Sequence, residues 1–300
     1  MGRSFARPTP SNKLENYAAA KFYHSASNTW FEMAERDGKY FQRQYQIGPD
    51  KKPTNVSDTE IDFIMGSGNH ARTYLHRTPA NELIELPLGW YSEQGAYWAM
   101  NPGYDHSDHP GVGRVIPYGC MFCHNAYPEI SAGVGPRADP VFLTVPEGID
   151  CQRCHGDGRK HVELARAPNA QPEEIRRAIV NPSRLPHDRQ MDVCLQCHME
   201  PKSASPSSLI VRYEREPFSF KPGESLADFR LHFDLKSPKE DRLEVVGSSA
   251  WRLMQSQCFL KSQGAMTCIT CHDPHRQTQS LARDLCTQCH GEKLAALIAI

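Results

Sequence analysis

Cys268-Ile-Thr-Cys271-His272-Asp-Pro-His275 is followed by Cys286-Thr-Gln-Cys289-His290, two copies of Cys-x-x-Cys-His whose starts lie 18 residues apart. The pattern also stands at Cys120–His124, Cys151–His155 and Cys194–His198, five times in all. It is the attachment signature of c-type haem. Two residues between the thiols match the separation of the porphyrin vinyl groups, and the adjoining His is held under the ring, where its imidazole can ligate iron. Four-thiolate zinc is the rival, and Cys268/Cys271 with Cys286/Cys289 approaches such a site, but it offers no role for a His after every pair. The expectation is therefore five haem c groups. Cys120, Cys123, Cys151, Cys154, Cys194, Cys197, Cys268, Cys271, Cys286 and Cys289 would bind porphyrin. His124, His155, His198, His272 and His290 would bind iron.

The five motifs use ten of the eleven cysteines, leaving only Cys258 and no disulfide framework. Cys258 lies in Trp251-Arg-Leu-Met-Gln-Ser-Gln-Cys258-Phe-Leu, which reads as an amphipathic helix with a buried, inert thiol. A thiolate ligand to iron is the alternative reading.

Apolar content is 39% with 23 prolines in 300 residues, which suits a polypeptide whose core is partly porphyrin. The formal charge of −1 gives no sign of a nucleic-acid partner. Each ferric haem contributes about −1, taking the holoprotein to about −6 and favouring basic redox partner proteins. No run approaches the ~20 apolar residues of a membrane span, and the first 25 residues lack the apolar run of a signal peptide. Because haem is attached outside the cytoplasmic membrane, the chain is expected to be exported, periplasmic or extracellular, with its signal peptide not in this sequence.

The motifs are confined to residues 120–290. The expected division is 1–112, a small β-rich domain without haem attachment sites, and 113–300, a pentahaem cytochrome c domain. The expected fold class is a mostly irregular and α region of short helices wrapped around haems, preceded by the β-rich domain. Thr29-Trp-Phe-Glu-Met-Ala and Lys39-Tyr-Phe-Gln-Arg-Gln-Tyr-Gln-Ile flank the hairpin signal Asp37-Gly38, and Glu82–Leu88 reads as a further strand. Helices are expected at 171–180, 188–197 and 279–289, the first from Pro172 and its acidic first turn. Residues 201–208, rich in Ser and Pro, read as a surface loop. The Gly66-Ser-Gly68 loop is too sparse for a nucleotide fingerprint.

Each iron has a second axial position, and its occupant decides the chemistry. Nine histidines stand outside the motifs. His161 and His275 each follow a motif closely and are the leading candidates. His24, His70, His109 and His232 are further candidates, for which a core or capping role is the competing account. His76, His106 and His187 rank lower. Met191, Met199, Met254 and Met266 are alternative thioether ligands, although packing explains them equally well.

Cys151-Gln-Arg-Cys-His-Gly-Asp-Gly-Arg-Lys-His161, Cys268–His275 with Cys286–His290, and Gly66-Ser-Gly-Asn-His-Ala-Arg-Thr-Tyr-Leu75 make the chain similar to the cytochrome c554-like multihaem family, including its members with doubled motifs. The resemblance covers most of the chain. It implies periplasmic or extracellular electron transfer through mostly bis-histidine haems, with reductases among the relatives. Relatives tend to carry a haem motif before the Met1-Gly-Arg-Ser-Phe segment and often continue past the last motif, so a fragment or a mis-set start is expected. The leading function is electron transfer, with no catalytic residues. The second is an oxidoreductase acting on nitrite or hydroxylamine through one open iron, although no Cys-x-x-Cys-Lys variant is present. The third is a subunit of a polymeric haem wire, in which copies of this chain are one another's partners.

Overall fold

The structure is a computed structural model and describes residues 4–199, 209–233, 249–276, 287 and 289–291. Strand β1 (Phe5–Ala6) is followed by β2 (Lys21–His24), β3 (Thr29–Arg36), β4 (Lys39–Ile47) and β5 (Pro53–Glu60). The last four form an antiparallel sheet in that order. Asp37 and Gly38 join β3 to β4 with positive φ at both positions, 52° and 73°, as a two-residue hairpin turn demands. Strand β5, Pro-Thr-Asn-Val-Ser-Asp-Thr-Glu, carries almost no apolar signal. It forms because β4 offers it a ladder, and an edge strand facing solvent needs no apolar face.

A seven-stranded antiparallel sheet combines β1 with β6 (Phe63–Met65), β7 (Ala71–Arg77), β8 (Leu83–Glu85), β9 (Leu88–Tyr91), β10 (Tyr97–Met100) and β11 (Arg114–Val115). The stretch expected as one strand over 82–88 is cut after Glu85, and β9 begins at Leu88. Pro87 has no N–H for a ladder. Gly66 (φ 110°) and Gly68 (φ 84°) turn β6 into β7. A Cβ on Gly66 would stand 2.5 Å from the Ala71 carbonyl oxygen, so this loop has a backbone reason for its glycines.

Alternation along β6 and β7 sends successive side chains to opposite faces. Ile64 and Tyr74 join Phe31, Met33, Tyr40, Leu88 and Trp90 in one apolar cluster. Phe63 and Leu75 join Phe5, Leu83, Ile116, Phe142 and helix residues Tyr118 and Met121 in another. The larger sheet is thus a middle layer, with the four-stranded sheet on one face and the first cysteine-bearing helix on the other.

Helices among the described residues include α1 (Tyr118–His124), α2 (Gln152–His155), α3 (Arg159–Arg166), α4 (Pro172–Arg177), α5 (His187–His198), α6 (Ser249–Gln255) and α7 (Gln257–Lys261). Strands β12 (Leu209–Val211) and β13 (Arg230–His232) form a two-stranded sheet. Gln171 and Glu174 make a reciprocal capping box on α4, the device that starts a helix where the sequence has an acidic first turn. The expected single helix through Trp251–Leu260 is two, because the Ser256 side chain accepts from the Phe259 N–H and caps α7. The expected helix over 279–289 and the loop at 201–208 fall largely or wholly outside the described residues.

This architecture overturns the expected fold class. Instead of a mostly irregular and α haem-wrapping region preceded by a small β-rich domain, the described residues are mostly β, with thirteen strands in three antiparallel sheets. Their helices are short, the longest having 12 residues. The physical reason is that eleven strands lie between residues 5 and 115, where alternation and tight turns let neighbouring segments pair. A Cys-x-x-Cys-His motif needs only about one helical turn and does not organise its surroundings as helix.

Contacts divide the chain into two compact units, Met1–Gly158 with Val211–Lys221, and Arg159–Ile210 with Pro222–Ile300. The division falls elsewhere than the expected 112/113. Motifs one and two belong with the large sheets, because α1 completes the core beneath β6 and β7.

Candidate functional site

Motif one lies entirely on α1, and motif three occupies the last turn of α5. In both, thiols at i and i+3 and an imidazole at i+4 share one helix face. Motif two opens α2, and its His155 N–H donates to the Cys151 carbonyl at 2.9 Å. In motif four a single 3-10 turn, Cys268–Thr270, is closed by the His272 N–H donating to the Cys268 carbonyl at 3.0 Å. Cys289 and His290 of motif five are exposed, and Cys286 lies outside the described residues. None of the ten described cysteines forms a disulfide. This donor set, paired thiols one turn apart with an imidazole on the same face, fits covalent attachment of haem c.

Burial pushes the Cys120 thiol up to about 11, with Glu85 and Cys123 adding to it. Burial also raises Cys154. Cys268 moves the other way, down to about 7, because Cys194 hydrogen-bonds to it. Its sulfur also stands 3.8 Å from the Met191 thioether. The first thiols of motifs three and four therefore adjoin each other in a small pocket with Gln190, Thr267 and Ile269. In the haem-free chain, mild oxidation is expected to link Cys194 to Cys268, faster as pH rises through about 7 and the thiolate grows. Peptide mapping that recovers both as free thiols after oxidation would contradict this.

The one cysteine outside the motifs, Cys258, is exposed, which corrects the expectation of a buried thiol. The break at Ser256 resets the helix and turns that position outward.

Hydrogen bonding separates the candidate distal histidines. His161 Nδ1 donates to the Ile175 carbonyl at 2.8 Å, leaving Nε2 with its lone pair, the arrangement by which second partners orient metal-bound imidazoles. His232 Nε2 is buried and has no hydrogen-bond partner among the described residues. Burial and neighbouring Arg230 push His232 down to about 4, so its ring is neutral at neutral pH. His275 is exposed and near Asp273, with Nδ1 3.8 Å from the carboxylate.

The other candidates have partners of their own, at both ring nitrogens in His24 and His106 and at one in His70, His76, His109 and His187. His24, 3% exposed, commits Nδ1 to Ser27 at 2.8 Å and Nε2 to Asp105 at 3.2 Å. Its ring meets that of His109 at 5.5 Å. His109 Nδ1 accepts from the Gly111 N–H at 3.1 Å, and burial, then His24 and His106, lower its pKa. The exposed His70 pairs with Glu93 at 3.1 Å. Both nitrogens of His106 are bonded, to Asp108 and to the Gly103 carbonyl. His76 lies 3.0 Å from Asp62, and His187 Nε2 donates to the Met266 carbonyl at 2.8 Å.

Two groups escaped sequence reasoning. One is the buried set of Glu15, Arg72 and Tyr74. The other is a pair of buried arginines, Arg153 and Arg230, that bond to the backbone of motif helices. Arg153 occupies a variable position inside motif two, where spacing carries no signal of burial. Among the described residues no helix is long and apolar enough to cross a membrane. The chain matches no protein-family model and no solved structure.

Proposed function

We propose that this protein is a multihaem c-type cytochrome, similar to the cytochrome c554-like family, that carries electrons through five covalently bound haems in the periplasm or outside the cell. The observation that carries the reading is the fivefold Cys-x-x-Cys-His pattern, which uses all but one cysteine. The helical setting of motifs one to three supports it, since one turn brings both thiols and the imidazole to a common face. Bound haem would supply the one-electron carrier. The chain's own residues would tether it through paired thiols, present His124, His155, His198, His272 and His290 on one side, and offer second imidazoles. His161 and His232 are the distal ligands best supported, the first by its oriented tautomer and the second by its buried, unbonded Nε2. Ligation on both faces would exclude substrate and keep rearrangement small.

Absorption and EPR spectra of the ferric protein test the reading. Five low-spin haems are expected, and a high-spin signal that shifts with nitrite or hydroxylamine would point to a reductase instead. His161→Ala and His232→Ala are each expected to convert one haem to high spin with the covalent haem count unchanged. If both variants stay fully low-spin, the distal assignments fail.

A further inference from the structure

Helix ends leave their last four carbonyls without intrahelical partners, and the partial negative charge there favours a cation. On α1 the exit is closed from several sides. The Asn125 N–H donates to the Met121 carbonyl at 2.9 Å, and the Ser4 hydroxyl donates to the His124 carbonyl at 2.8 Å. Arg153 completes it. Its Nη2 donates to the Phe122 carbonyl, and its Nε donates to the Asn125 carbonyl at 3.2 Å. The side chain is 1% exposed, with the guanidinium 4.4 Å from the Phe122 ring centroid and 4.5 Å from that of Tyr127.

The arrangement recurs in the other unit. Arg230 on β13, 4% exposed, donates through Nη2 to the Leu195 carbonyl at 3.2 Å and to the Gln196 carbonyl. Phe122 and Gln196 hold the same place in their motifs, the residue before the second cysteine. Two arginines from unrelated elements thus reach one equivalent carbonyl. Capping alone does not require this. Water or a lysine could satisfy exposed carbonyls, whereas a buried guanidinium offers a fixed planar fork together with a permanent charge.

We propose that Arg153 and Arg230 are positioning residues for the proximal imidazoles, locking the exit turns that carry His124 and His198 and placing a buried positive charge near those two motifs. The inference rests on the cytochrome reading. Each proximal imidazole lies two residues beyond the clamped carbonyl, so the clamp limits rotation of the turn and with it the imidazole plane. The charge acts separately. Toward a bound haem, whose iron would lose one unit of positive charge on reduction, the guanidinium would favour the reduced form. Because Arg153 lies between Cys151 and Cys154, it also ties motif two to the end of motif one.

The test uses the full-length, haem-loaded chain with Arg153→Gln, Arg153→Lys, Arg230→Gln and Arg230→Lys. Covalent haem is counted under denaturing conditions, potentials are resolved by titration, and EPR reports imidazole orientation. Each Gln variant is expected to keep five haems and to shift one haem's reduction equilibrium about tenfold toward the oxidised form, about 59 mV for one electron. One low-spin EPR signal should move with it. The Lys variants should recover much of the potential and leave the EPR signal displaced, because charge returns and the fork does not. A purely structural clamp would lower stability and leave potentials in place. If a Gln variant is not recovered, the Lys variant at that site decides, and an unaltered EPR spectrum overturns the clamp. Gln variants with parental potentials and spectra overturn the inference while leaving the cytochrome reading intact. A parent chain without covalent haem overturns the cytochrome reading itself.

Discussion

Replacing Cys120 and Cys123 together by alanine is expected to lower the covalent haem count from five to four while the remaining motifs load normally. Each of the five motifs carries its own pair of thiols, and thioether formation is local to the pair, so losing one site should not propagate chemically. Motif one is the most demanding place to try this. Cys120 packs against the cluster containing Phe5, Phe63 and Leu75, and α1 is held at its exit by Arg153 and Ser4. The helix should therefore persist without its haem, leaving a chain that can be compared directly with its parent. Intact mass under denaturing conditions reads the count. A loss of one haem equivalent supports one attachment site per motif. A parent chain that carries zinc and no haem would return the motifs to the thiolate reading set aside above.

Arg72→Met is expected to destabilise the unit built on the two large sheets by about 3–5 kcal/mol, the cost of leaving one partner of a buried ion pair alone. Arg72 Nη1 donates to Glu15 at 3.0 Å and to the Asn12 carbonyl at 2.8 Å. The Glu15 side chain is fully buried and that of Arg72 is 4% exposed. The carboxylate also accepts from the Tyr74 hydroxyl at 2.6 Å and the Leu14 N–H at 2.8 Å. Without the guanidinium, a buried negative charge keeps only neutral donors. In thermal unfolding the midpoint should fall by roughly 10 °C. Tyr74→Phe removes one bond to a charged group and should cost less, about 1.5–3 kcal/mol. The double variant Glu15→Leu/Arg72→Met should cost less than the sum of its single variants, since the uncompensated charge is gone. Additive costs, or an Arg72→Met midpoint equal to that of the parent, would show that the pair contributes little.

The buried pair also shows where sequence reading stops. Glu15 stands in Ser-Asn-Lys-Leu-Glu-Asn-Tyr, a polar run with no sign of a core, and its partner is 57 residues away. By contrast, the Asp37-Gly38 hairpin was legible because a two-residue turn needs positive φ at neighbouring positions, a local demand with a local signature. The acidic start of α4 was legible for the same reason. Strand β5 was not, since its polar residues form a strand only because β4 presents an edge. The weight given to helix in the expected fold class came from the motifs, each about one turn long, while the strands that dominate the described residues depend on pairing between segments.

Sequence alone determined the number and spacing of the Cys-x-x-Cys-His motifs and the near-complete use of cysteine by them, on which the proposed haem chemistry rests. Attachment requires groups within four positions of one another, and such requirements are written in the chain itself. Only the tertiary structure decided which imidazoles are committed elsewhere and which carbonyls are clamped. His24 meets Asp105 across 81 positions, His161 meets Ile175 across 14, and Arg153 reaches Phe122 across 31. A ring nitrogen is available or engaged according to what folding brings within about 3 Å of it, and no spacing rule along the chain encodes that distance.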